Sequence, residues 1–113
     1  MPVNVVDLKG NAPRIVNTVD VGQYVEGLAF SDDGNYLAVI PQNGSNLAQS
    51  HPFYNDHGLL VVFNVNGTTL TKVAEVKIGQ WPQGVAWSTT ARRCWHRAWW
   101  ITRSPSSAST ART

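Results

Sequence analysis

A gapless internal repeat constrains this chain more than any other feature of its sequence. Residues 5–31, VVDLKGNAPRIVNTVDVGQYVEGLAFS, align on residues 62–88, VFNVNGTTLTKVAEVKIGQWPQGVAWS, at a constant offset of 57. Val5, Gly10, Val16, Val19, Gly22, Gln23, Gly27, Ala29 and Ser31 all recur. Positions that differ keep their type: Val21 with Ile78, Tyr24 with Trp81, Leu28 with Val85, Phe30 with Trp87. A chain that repeats in register folds each copy alike and buries the face of one against the next.

Within each unit the apolar residues alternate or run in short blocks rich in Val, Ile and aromatics, a pattern of strands and not helices. Strands are predicted over 3–8, 14–21, 27–30, 36–40, 59–65, 69–78 and 84–87. Asp33-Gly34 and Asn66-Gly67 supply tight turns, so the strands they join are antiparallel. Pro41–Asp56, PQNGSNLAQSHPFYND, is too long for a hairpin turn, and long ordered loops commonly carry function. The fold class is all-β. Four short strands per repeat, with a glycine before the innermost, point to a β-propeller fragment: one complete four-stranded antiparallel blade near 27–78 plus parts of two neighbouring blades. The fragment spans 1–88, with the outer half of one blade before the whole one and the first strand of a third after it. Fewer than two blades leave open edges and uncovered faces, which predicts weak folding or aggregation.

The segments VNVVDL, TVDVGQYVEGLAFSDDGNYLAV and VKIGQWPQGVAWS resemble the YVTN-type β-propeller repeat family, which overlaps the lactonase-like propellers. The resemblance covers residues 3–88, and Thr18–Val39 follow the pattern nearly throughout; Asn64 stands where the first unit has Asp7. It implies a closed ring of several blades in a longer parent, often bacterial and periplasmic or otherwise exported. The implied role of the parent is a scaffold that binds a small molecule or protein, this fragment having no activity of its own. The alternative it implies is a propeller lactonase that opens a sugar lactone such as phosphogluconolactone. No catalytic residue transfers with the resemblance, and no cofactor is implied.

After Ser88 the pattern stops. Residues 1–88 carry four Lys or Arg against seven acids, whereas 89–113 carry five Arg, no acid and three of the five Trp. That composition suits neither a strand nor a disordered linker. A lost base near Ser88 accounts for it. Trp and Cys codons begin with T, and in the shifted frame that T becomes a middle base, which encodes apolar residues. With suitable synonymous codons the recovered frame restores an Asp-Gly turn and blade-like strands. Residues 89–113 are therefore read as an aberrant, frameshifted tail without its own fold.

Cationic residues in the body are too few and scattered for a nucleic-acid surface. No segment is apolar enough to span a bilayer, and MPVNVVDLKG lacks the regions of a signal peptide. Cys94 is the only cysteine, so no internal disulfide forms.

Ligand-binding candidates come from two places. In the long loop, His51, Asp56 and His57 are residue types that bind metals or move protons, but their spacing matches no metal signature, and no metal site is assigned. Gln23 and Gln80 sit in the Gly-Gln-aromatic segments leading into the innermost strands, where Gly22 and Gly79 relieve backbone strain and Tyr24 and Trp81 pack between blades. Ser31 or Ser50 with His51 and Asp32 offer the residue types of a triad, yet no nucleophile-elbow sequence accompanies them. Asn43-Gly44-Ser45 and Asn66-Gly67-Thr68 fit the glycosylation triplet but read better as turns.

Overall fold

The computed structural model describes residues 1–100 together with Thr110–Ala111. Every described element is a β-strand: β1 (Pro2–Asp7), β2 (Arg14–Asp20), β3 (Val25–Phe30), β4 (Tyr36–Pro41), β5 (Gly58–Asn66), β6 (Thr69–Ile78), β7 (Gln80–Trp87), β8 (Cys94–Trp100) and β9 (Thr110–Ala111). They form three antiparallel sheets in the orders β1-β2, β3-β4-β5-β6 and β7-β8-β9.

The sequence repeat is a repeat of hydrogen-bonding register. In β1-β2, Pro2 faces Asp20, Val3 faces Val19, and the register slips between Val5 and Val6. In β5-β6, Leu59 faces Lys77, Leu60 faces Val76, and the slip falls between Val62 and Phe63, each 57 residues on. The β3-β4 and β7-β8 hairpins agree in the same way, with irregularities at Val25/Gly27 and Pro82/Gly84. A one-residue slip would turn every side chain to the wrong face, so retention of the bulges keeps both copies' apolar sets on equivalent sides.

The middle sheet is covered on both faces, which explains its burial pattern. Its central strands β4 and β5 are nearly continuous apolar runs, while β3 and β6 alternate. Ala38, Ile40, Leu60, Val62 and Ile78 form one core with Cys94, joined by Val85 and Trp87 from β7. Leu37, Val39, Val61 and Phe63 form the other with Val3 of β1 and Val21, which follows β2. Coverage is uneven at β3. Val85 and Trp87 pack on the core, and the Trp87 indole N–H donates to the Ala29 carbonyl at 2.9 Å. Their equivalents in the first unit, Leu28 and Phe30, stay 50% and 57% exposed.

The tail departs from its compositional reading, which foresaw no strand after Trp87. Cys94–Trp100 pairs with β7, and its side chains alternate: Cys94 and His96 are buried while Trp95 and Arg97 point out. Alternation and an open edge with free backbone groups suffice for pairing, whatever the residue types. The third sheet therefore has three strands where one was expected. Residues 101–109 and 112–113 of the tail lie outside the described residues.

Candidate functional site

The Gly-Gln-aromatic corners and the long β4–β5 loop meet at one end of the sheets. Tyr24 and Trp81 both adopt left-handed backbone, at φ 54° and 52°, so the repeat preserves even this unfavourable conformation. A non-glycine residue there costs roughly 1–2 kcal/mol, and hydrogen bonds to the corners offset it. Gln42 N–H donates to the Tyr24 carbonyl at 2.8 Å, and Asn43 N–H to the Gln23 carbonyl at 3.0 Å. On the second corner, Trp81 N–H donates to Ser45 Oγ at 2.8 Å, and that hydroxyl donates to the Gln42 carbonyl at 2.6 Å.

The loop is ordered by its own amides. Asn55 Nδ2 donates to the Asn43 carbonyl at 2.9 Å, and Asn43 Nδ2 to the His57 carbonyl at 3.3 Å. Gly44, at φ 80°, lies so close to the Phe53 carbonyl that a Cβ there would collide with it. Asn43-Gly44-Ser45 is thus a buried turn, with Asn43 itself at φ 59°.

Between the loop and the second corner lies a groove of about 300 Å³ lined by Ser45, Asn46, Gln49, Tyr54, Gln80 and Trp81, with Leu47 and Ala48 completing the wall. Gln80 Nε2 donates to the Tyr54 hydroxyl across it at 3.0 Å. Asn46 Oδ1 is buried and has no hydrogen-bond partner among the described residues. Buried acceptors are nearly always paired, so this one marks a place where a donor from a ligand would be stabilised.

The site residues expected from sequence fall into two groups. Gln80 lines the groove, and Gln23 holds the loop through its carbonyl. His51, Asp56 and His57 do not converge. His51 is exposed, its Nδ1 accepts from Phe53 N–H at 3.1 Å, and its ring lies 5.7 Å from the Phe53 ring. His57 Nδ1 meets Asp56 Oδ1 at 2.7 Å, and this bond holds the exposed Asp56 carboxyl below its usual range. Among the described residues, no three or more His, Cys, Asp or Glu gather where a metal ion would be held. Ser31 Oγ is engaged in a turn, donating to Asp33 Oδ1 at 2.6 Å and accepting from Tyr36 N–H at 3.0 Å. Tyr24 is exposed, whereas Trp81 is half-buried and lines the groove.

Sequence reasoning did not single out Ser45, Asn46 or Tyr54 as binding residues. The loop's length flagged the segment, but which of its polar residues fold inward depends on contacts to Trp81 and Gln80, more than 25 positions away. Comparison with models of known protein families, with curated proteins and with solved structures gives no match for the chain. No helix of the described residues is long and apolar enough to cross a membrane.

Proposed function

We propose that the chain is a segment of a YVTN-type β-propeller that acts as a binding scaffold. In this reading β3-β4-β5-β6 is the whole blade, and the other two sheets are parts of its neighbours. The register repeat, bulges included, supports the blade reading, as does the stacking of three sheets in chain order.

The ligand is a small polyhydroxylated molecule held in the groove at the loop end. Amide and hydroxyl groups beside an indole suit such a ligand: the polar groups bond its hydroxyls and the ring covers its C–H face. The unpaired Asn46 Oδ1 is the observation that carries this reading.

Titrating the isotope-labelled 113-residue protein with glucose, gluconate and gluconolactone tests it. Amide and indole resonances of Asn46, Gln80 and Trp81 are expected to shift with a Kd in the millimolar range, about −4 kcal/mol. Asn46→Ala should weaken the response several-fold. Unmoved resonances for all three probes reject the groove as a binding site. Ring opening of gluconolactone faster than in buffer would instead identify a lactone hydrolase.

A further inference from the structure

We infer that the groove at the loop end selects a cationic ligand, an amino sugar or amino polyol whose ammonium donates to Asn46 Oδ1 while the Trp81 indole covers its ring. The inference rests on the groove reading above and narrows it from polyhydroxylated molecules in general to those bearing a protonated amine.

The hydrogen bonds around the groove separate groups already engaged from the one that is not. Ser45 Oγ accepts from Trp81 N–H at 2.8 Å and donates its only hydrogen to the Gln42 carbonyl at 2.6 Å. Gln80 Nε2 donates to the Tyr54 hydroxyl at 3.0 Å, which leaves the amide oxygen of Gln80 as an acceptor. Asn46 Oδ1 is buried without a partner among the described residues, and an amide oxygen can only accept. The groove therefore calls for a donor at its buried end. A carboxylate or phosphate oxygen placed there would set one acceptor against another.

Ser45 also fixes the indole beside that oxygen. Its hydroxyl holds the Trp81 backbone, and Asn46 is the next residue in the chain, so the amide and the ring line the same groove. An ionised donor makes a hydrogen bond roughly twice as strong as a neutral one. The negative face of an indole attracts the same charge. None of the described residues lining the groove is Lys, Arg, His, Asp or Glu. An ammonium meets no like charge from them, and an anionic sugar, a phosphorylated lactone included, finds no cation among them.

One sugar ring in several charge states tests this. The labelled protein is titrated at neutral pH with glucose, glucosamine, N-acetylglucosamine and glucuronate, following the Asn46 side-chain amide and the Trp81 indole. Glucosamine should bind about tenfold more tightly than glucose, the gain from replacing a neutral donor by a charged one. N-acetylglucosamine, which fills the same position without charge, and glucuronate should bind no more tightly than glucose. Asn46→Asp keeps the side-chain shape and makes the acceptor a carboxylate, so it should raise glucosamine affinity several-fold further and leave glucose nearly unchanged. Asn46→Leu should erase the difference between the two sugars. Circular dichroism checks that each variant folds, and Asn46→Asp alone decides if Asn46→Leu does not. Glucosamine binding no tighter than glucose, or a preference that survives Asn46→Leu, overturns the inference and leaves the groove reading standing. Glucuronate binding more tightly than glucose overturns it too, because the amide would then present its nitrogen. No response to any of the four sugars rejects the groove itself, and this inference with it.

Discussion

The β3-β4 and β7-β8 hairpins share one backbone and a serine, and differ at every other residue of their turns. The first turn, Ser31-Asp32-Asp33-Gly34, closes with Ser31 N–H on the Tyr36 carbonyl at 2.9 Å and Gly34 N–H on the Ser31 carbonyl at 2.9 Å. The second, Ser88-Thr89-Thr90-Ala91, repeats both bonds, Ser88 N–H to the Arg93 carbonyl at 2.8 Å and Ala91 N–H to the Ser88 carbonyl at 3.0 Å. In each, the serine hydroxyl also accepts from the second hairpin strand's first residue or its neighbour, Tyr36 N–H at 3.0 Å and Arg93 N–H at 3.2 Å. The serine and the alternating strands therefore specify the hairpin. The Asp-Gly pair of the first turn refines it.

The largest test of this comparison exchanges residues at its most dissimilar position. Ile40 is fully buried between two sheets, and its equivalent Arg97 is exposed, with no described residue covering it on that side of β8. Ile40→Arg should destabilise the fold by about 4 kcal/mol or more, since it buries an unpaired cation in an apolar core. Urea unfolding followed by circular dichroism is expected to lose its cooperative transition. The reverse change, Arg97→Ile, should stay within about 0.5 kcal/mol of the wild type. Comparable effects at the two positions would show that the outer face of β8 is covered after all.

That asymmetry also marks what was legible from sequence. Seven strands followed from alternation, apolar runs and turns, because at Leu37–Ile40 and Leu60–Phe63 residue type and burial agree. At β8 they disagree. Strand formation there depends on the open edge of β7, and only Cys94 and His96 need to face inward. The candidate site was half legible for the same reason. Repetition pointed to Gln23 and Gln80, whereas His51, Asp56 and His57 stood out by residue type alone and each met a neighbour in the loop. Ser45 and Asn46 acquire their roles only when the loop folds over Trp81.

A smaller test concerns the left-handed residue of each turn. Gly34 has φ 74° and Ala91, its equivalent, φ 56°. The alanine carries a Cβ penalty that glycine does not, so Ala91→Gly should stabilise by roughly 1 kcal/mol and Gly34→Ala should destabilise by roughly the same. No atom lies near a Cβ built on Gly34, so the effect there is conformational and not a clash. Thermal melts of the two variants and of the double variant check the signs. Equal shifts in one direction would mean that the two turns are not equivalent.

The smallest expected effect is electrostatic and separates the turns by their response to acid. Asp33 is held below its ordinary value of 3.8, chiefly by the Ser31 hydroxyl and then by the Asn35 N–H. A carboxylate depressed in the folded state contributes stability that is fully present above its unfolded value and is lost as pH falls through the folded one. The Asp33 contribution therefore disappears below 3.8 and leaves neutral pH untouched. Thr90 occupies the equivalent place, where its hydroxyl meets Ser88 Oγ at 3.4 Å without a charge, so the second turn has no such dependence. Melting temperatures of Asp33→Asn taken from about pH 6 to about pH 2 should fall less steeply than those of the wild type. Some slope should remain, because Asp20 and Asp56 are depressed as well. Thr90→Asp should steepen the same limb by giving Ser88 a carboxylate to bond. If Asp33→Asn runs parallel to the wild type throughout, the Ser31–Asp33 bond does not hold the first turn, and the two hairpins are closed by the same backbone and serine contacts alone.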